Sequence, residues 1–254
     1  MRASCGQPYV RAMTNIASTD TRTELHTRPP STAWLRILSL LYDPFVWLAE
    51  IAGMRRQRSA LLGNARGRVV EIGAGTGLNV AHYPDGIAEL VFTEPVAAMR
   101  RRLTRRLQQH GRVARIIDVP AERLPMADAS VDTVVSTLVL CTVNDPKGAL
   151  REIARVLRPD GQLLFIEHVR AGSRFLAACQ DKLDEPWRRF AGGCRCNRAT
   201  TELMGACGFT VAADDAVWRG MPPIVHPLVV GRATRPSGWL STRWSSDRPG
   251  GSNE

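Results

Sequence analysis

The sequence predicts an α/β fold built on a mostly parallel sheet of seven strands with helices on both faces. Two observations carry this expectation. Beyond Gly67, short β-rich runs alternate with stretches of helical apolar spacing, which is the signature of parallel βαβ units. The first of those runs, Val69-Val70-Glu71-Ile72, ends in Gly73-Ala74-Gly75-Thr76-Gly77, a glycine turn at the edge where an open sheet receives its ligands.

The expected strands are 68–72, 89–93, 113–117, 131–137 and 162–167, followed by 209–213 and 225–231. The expected helices are 77–83, 97–109, 146–157, 174–190 and 199–207, with Pro159-Asp160-Gly161 as a turn before the fifth strand. Ahead of them, residues 32–62 have helical spacing interrupted by Asp43-Pro44, with Gly53 following, which predicts two capping helices because proline cannot donate the backbone hydrogen bond. The first, Trp34 to Tyr42, falls short of the roughly 20 residues that cross a bilayer. It is expected to cap the active site, with peripheral contact to a membrane surface as the lesser alternative. Residues 1–31 and 234–254 are rich in Ser, Thr, Pro, Gly and Arg without sustained period, so they read as disordered tails around a domain spanning 32–233. Met13 is an alternative start, and residues 1–30 lack the apolar run of a secretory signal.

At 254 residues and 44% hydrophobic, the chain suits one core. Its net charge of +10 comes from arginine, since Lys147 and Lys182 are the only lysines. The charge clusters over Arg100 to Arg106 on the outer face of a helix that turns Leu103 and Leu107 inward. No aromatic residues interleave with these arginines, so a solvated face is expected and a nucleic-acid partner is not. The six cysteines are scattered through a chain with apolar residues enough for a core, which favours reduced thiols and a cytoplasmic setting. Cys194-Arg195-Cys196 is spaced too tightly for a zinc knuckle, and no metal is expected.

Three features narrow what the glycine turn holds. Its third glycine follows the second by two residues, where a dinucleotide fingerprint has three. Glu71 precedes it, an acid that would repel pyrophosphate but suits a cationic ammonium and sulfonium. Glu94 ends the next strand, placed to accept hydrogen bonds from two ribose hydroxyls.

With these residues the chain resembles the class I S-adenosylmethionine-dependent methyltransferases, with their Rossmann-like fold. More narrowly it is similar to the thiol methyltransferase group, which includes the animal methyltransferase-like 7 proteins and bacterial relatives. The resemblance covers about Tyr42 to Gly231. It is carried by Gly73 to Asn79, Ser130 to Cys141, Arg151 to Gly161, Glu167-His168-Val169, Pro186-Trp187, Gly193-Cys194 and Arg198. It implies that S-adenosyl-L-methionine is the cofactor, held by Glu71, Gly73, Ala74, Gly75, Thr76, Gly77 and Asn79 at the turn. Pro95 and Met99 would border the adenine, with Ala121 and Glu122 at its edge and Thr137 and Leu138 beside the methionine. Pro120 departs from the acid or glycine of many relatives at the adenine amino group.

Methyl transfer from a sulfonium is an in-line displacement, so the protein chiefly aligns reactants in a dry pocket. A thiol with pKa near 8.5 is already about a few per cent thiolate at neutral pH and needs no strong base. The candidate catalytic residues are His168 and Cys141 near the methyl group; Asp145 is expected to be a helix N-cap and His226 a structural residue. Trp187, Phe190 and Trp218 are candidates to wall an apolar small-molecule pocket, and Arg198 to hold an acidic group. The expected reaction is S-methylation of a thiol or hydrogen sulfide. The alternative acceptors are a quinone precursor, phenol or lipid headgroup methylated at oxygen or nitrogen. Against a nucleic-acid methyltransferase, no Asn/Asp-Pro-Pro-Tyr segment follows the fourth strand.

Overall fold

A computed structural model of the protein describes residues 32–235. The expected tails therefore lie outside the described residues, apart from 234 and 235, as does the alternative start at Met13.

Seven strands form one sheet in the order β3-β2-β1-β4-β5-β7-β6. They are β1 Arg68–Ile72, β2 Glu89–Thr93, β3 Arg115–Ile117, β4 Val131–Thr137, β5 Leu157–His168, β6 Thr210–Val217 and β7 Pro227–Thr234. The pairs up to β4–β5 are parallel, whereas β7 runs antiparallel to β5 and β6. The chain leaves β1 toward β2 on one side and β4 lies on the other, so a crevice opens at their carboxyl ends, where such sheets bind ligands.

The central strands are buried on both faces, and two apolar cores result. One packs Leu150, Ile153 and Val156 of α4 Pro146–Val156 against Val134, Leu163 and Phe165. The other packs Leu103 and Leu107 of α3 Ala97–Gln109 against Val69, Leu90 and Phe92. Helices α5 Arg174–Phe190 and α6 Thr200–Ala206 precede the antiparallel pair.

Several boundaries differ from the sequence expectation for local reasons. Helix α1 runs through Thr32–Ala49 with Pro44 inside it, and the break falls later, at Gly53 with φ 138°, inside a π-helical turn over Glu50–Met54. Proline 44 leaves the Leu40 carbonyl without its helical donor, and Arg102 Nη1 lies 3.4 Å from that oxygen. Helix α2 then spans Arg55–Leu62. The helix expected over 77–83 is a single 3₁₀ turn, Val80–His82, because Gly77 is left-handed at φ 85° and the Asn79 side chain is drawn into the core. Strand β5 begins at Leu157, and Pro159-Asp160-Gly161 bulges from it where the register passes from Val131↔Leu157 to Thr133↔Gln162. Strand β7 extends to Thr234, past the expected strand end at 231.

Candidate active site

The glycine turn leaves β1 with two residues whose backbone demands glycine for different reasons. Gly73 has φ 54°, and a Cβ there would stand 2.7 Å from Val139 Cγ1, so the turn packs directly on the chain leaving β4. Gly75 has φ 56°, yet a Cβ would meet only the Gly73 carbonyl at 4.0 Å, which leaves this side of the turn open.

Glu94 reaches the turn from the end of β2. Its Oε2 accepts the Gly75 N–H at 2.8 Å and its Oε1 the Val96 N–H at 2.8 Å. Burial raises this carboxyl above its ordinary range, with the two amide donors opposing the shift. Pro95 is exposed at the following bend and Met99 is buried in α3. Ala121 is buried in the loop after β3, and Glu122 Oε1 accepts the Asp145 N–H at 3.4 Å. Thr137 and Leu138 close β4, and Leu138 carries a positive φ of 60°, a conformation that side chains adopt at a cost and that concentrates at functional turns.

Beneath the turn a polar chain runs through the core. Asn79 Nδ2 donates to Glu71 Oε1 at 3.0 Å and to Thr137 Oγ1 at 3.0 Å, while the Tyr83 hydroxyl donates to Glu71 Oε2. Arg58 donates to Asn79 Oδ1 at 2.7 Å and to Glu50 at 3.0 Å. Burial pushes the Glu71 carboxyl up to about 7 against the Tyr83 and Asn79 donors. Both Glu71 oxygens are therefore engaged by the protein. The Thr76 hydroxyl is engaged too, donating to Asp43 of α1 at 2.6 Å. Asp43 also receives Arg102 and Arg106, each at 3.0 Å. The arginine run is thus more than a solvated face: two of its members clamp α1 over the turn.

The second half of the site lies beyond β4 and β5. The Glu167 carboxylate is fully buried and accepts Ser136 Oγ at 2.6 Å and the amides of Val139, Leu140 and Cys141 at 3.0, 3.0 and 3.2 Å. Arg198 grips the same turn from the other side, donating to the carbonyls of Leu140 at 2.5 Å and Val143 at 2.8 Å. Among the described residues its hydrogen-bond partners are these two backbone carbonyls. Between these supports Cys141 Sγ lies 3.4 Å from His168 Nδ1, and Cys194, from the loop after α5, places its Sγ 3.5 Å from the same nitrogen and 3.8 Å from Cys141 Sγ. The hydrogen bond with Cys194, and then burial, hold the Cys141 thiol well above its usual range.

His168 and Cys194 line a cavity of about 80 Å³ walled by Tyr42, Phe45, Trp187, Phe190 and Trp218. The three aromatic residues expected at the pocket are therefore there, joined by two from α1. The side-chain nitrogens His168 Nε2, Trp187 Nε1 and Trp218 Nε1 are buried with no hydrogen-bond partner among the described residues. Asp145 caps α4 by accepting the Gly148 N–H at 2.8 Å, and His226 Nε2 is tied to the Met221 carbonyl at 2.7 Å, both as expected. A larger cleft of about 480 Å³ lies at the start of β2, bordered by Asp85 and His110, away from the carboxyl edge.

Sequence reasoning missed Cys194, Asp43 and Tyr42 as members of the site. The tight Cys194-Arg195-Cys196 pair drew attention to local spacing, whereas Cys194 meets residues 53 and 26 positions away.

Residues 70–165 match the family described as "Methyltransferase domain". The chain is 34% identical over 184 residues to the thiol S-methyltransferase TMT1B of Homo sapiens, covering 68% of this chain and 74% of that protein. It is also 31% identical over 137 residues to a phosphatidylethanolamine N-methyltransferase of Cereibacter sphaeroides, covering 53% of this chain and 67% of that one. Among solved structures, the fold is similar to a Burkholderia thailandensis 1,6-didemethyltoxoflavin-N1-methyltransferase with bound S-adenosylhomocysteine. That likeness has a TM-score of 0.58 at 21% identity and covers 80% of this chain and 88% of that chain.

Proposed function

Because this chain belongs to the class I S-adenosylmethionine-dependent methyltransferases, together with the thiol S-methyltransferases, we propose that it transfers the cofactor's methyl group to a small thiol or to hydrogen sulfide. The observation that carries this reading is the chemistry of the acceptor cavity. Its walls are aromatic, and the carboxylate nearest the His168 end of β5, Glu167, has its oxygens occupied by a hydroxyl and three amides. Among the described residues that leaves no free carboxylate there to serve as the base that a neutral alcohol or an ammonium needs. A thiol supplies its own anion, and the three unpartnered ring nitrogens around the cavity suit an acceptor that brings lone pairs.

In this reading the residues at the carboxyl ends of β1, β2 and β4 would hold S-adenosylmethionine. Gly73, Ala74, Gly75, Thr76 and Gly77 form its backbone cradle, and the Glu94 carboxylate turns from the Gly75 and Val96 amides toward the ribose hydroxyls. Glu71 and Asn79 act from beneath, fixing the turn through their mutual bond. Pro95, Met99, Ala121 and Glu122 flank the adenine, and Thr137 and Leu138 the methionine. His168 lines the acceptor cavity and Cys141 stands behind it, its Sγ 3.4 Å from His168 Nδ1, so His168 would border the acceptor sulfur and Cys141 would act through it. The bound cofactor would supply the electrophilic methyl, and a thiolate acceptor would leave as the methylated sulfur with S-adenosylhomocysteine as the other product.

The exposed apolar side chains of α1, among them Leu40, Leu41, Trp47 and Leu48, support a second feature. The helical stretch Arg36–Leu62 is long and apolar enough to cross a membrane by length and composition, with 28% of its most apolar window buried in the protein. We place α1 on a membrane surface, which would bring apolar acceptors to the cavity beneath it. A lipid headgroup or phenol is the alternative acceptor, supported by the similarity to a phosphatidylethanolamine N-methyltransferase. Turnover of a panel of alkyl thiols, sulfide, phenols and amines with methyl-labelled cofactor separates the readings.

A further inference from the structure

We propose that Cys141, His168 and Cys194 form a binding site for one zinc-class divalent cation, with a fourth coordination position open to the acceptor cavity. The three ligand atoms come from the turn after β4, the end of β5 and the loop after α5, and all lie within 4.8 Å of one another in a buried setting.

The geometry favours an ion over a chance packing of thiols. A tetrahedral zinc with sulfur at about 2.3 Å and nitrogen at about 2.0–2.1 Å sets S–S edges of about 3.8 Å and S–N edges of about 3.5 Å. The observed Sγ–Sγ edge is 3.8 Å and the two Sγ–Nδ1 edges are 3.4 and 3.5 Å. The donor set is also the soft one that selects zinc among the common divalent ions. Two thiolates and a neutral imidazole balance a dication, so the loaded site carries no net charge into the interior.

The surroundings are built to hold these atoms still. Glu167 fixes the Cys141 amide and Arg198 the neighbouring carbonyls, while Thr200 Oγ1 donates to the His168 carbonyl at 3.0 Å. Cys194 follows Gly193, which at φ 110° packs against Thr142, beside Cys141. Three protein ligands with the fourth place free is the arrangement of catalytic zinc and not of a closed structural site. His168 and Cys194 both line the cavity, so the free place faces an incoming acceptor.

For a thiol acceptor, a role that rests on the function proposed above, coordination would release the thiol proton to solvent and hold the sulfur as thiolate. The sulfur lone pair forms the new S–CH₃ bond, the sulfonium C–S pair returns to S-adenosylhomocysteine, and the neutral thioether, a weaker ligand, leaves.

The test measures metal in the full-length protein without cofactor or acceptor, so its outcome is independent of whether thiols are substrates. Protein produced with zinc in the medium and passed through a desalting column should contain about one zinc per chain by mass spectrometry. Apo protein titrated with Co²⁺ should develop thiolate-to-cobalt charge-transfer absorption that saturates at one equivalent. Cys194→Ser should lose at least about tenfold in metal affinity, the scale of one missing ligand interaction of 1.4 kcal/mol or more. Cys179→Ser, outside the cluster, should bind as wild type does. Should Cys194→Ser fail to fold, the cobalt titration of the wild type decides alone. Folded wild-type protein with neither zinc nor charge-transfer absorption would overturn the site, as would a Cys141–Cys194 disulfide in freshly isolated, metal-free protein.

Discussion

The Glu94 carboxylate accepts the Gly75 amide at 2.8 Å, linking the end of β2 to the open side of the glycine turn. If this acid is the ribose-binding group, Glu94→Ala should weaken binding of S-adenosylhomocysteine by about tenfold or more, since hydrogen bonds to a charged group contribute about 1.5–3 kcal/mol. Calorimetry measures the affinity and a thermal melt checks the fold. Unchanged affinity in a folded variant would take Glu94 out of the site.

Glu71 gives the fold a pH signature. Its carboxyl, raised by burial from 4.5 to about 7, binds its proton more tightly folded than unfolded. The stability it contributes is complete below about pH 4.5 and is lost as pH rises toward 7, at up to about 1.4 kcal/mol per unit in that window. Guanidinium denaturation of wild type and Glu71→Gln from pH 4.5 to 8 isolates this group from other carboxylates. Wild type should lose stability relative to the variant as pH rises, and parallel curves would contradict the assignment.

Asp43 ties α1 to Thr76, Arg102 and Arg106. Asp43→Ala should therefore cost about 1–3 kcal/mol, because partly buried donors lose a charged partner. Hydrogen exchange should accelerate first in residues 32–49 and at the glycine turn. Uniform acceleration would mean that the clamp does not act locally.

The sequence made the strand-turn-strand frame legible because β1, β2 and β4 are short apolar runs with sharp punctuation, and their bounds agree with expectation. Residues whose roles depend on long-range contacts were harder to read. Pro44 looked like a helix break, but Arg102, a distant residue, lies against the carbonyl that the proline leaves without a donor. Nothing in the sequence chooses between an acidic substrate group and a nearby carboxylate for Arg198, and the partners it has are backbone carbonyls that no side-chain pattern encodes. The cluster of Cys141, His168 and Cys194 joins a turn, a strand end and a loop and leaves no local spacing to find.

The exposed apolar face of α1 predicts binding to vesicles. Wild type should co-sediment with liposomes, and Leu40→Ser/Leu48→Ser should remain in the supernatant with its thermal midpoint little changed, since both residues are exposed. Equal partitioning of the two proteins would remove the membrane from the account.

The acceptor assignment is tested most directly by competition in one vessel. Purified protein is given methyl-labelled S-adenosylmethionine with an alkyl thiol, a phenol and an amine of similar size, and the labelled products are identified by mass spectrometry. The account predicts the methyl thioether as the dominant product, with kcat/KM for the thiol above that for the phenol by at least about tenfold, or roughly 1.4 kcal/mol in transition-state free energy. Labelled ether or methylamine exceeding thioether would contradict it.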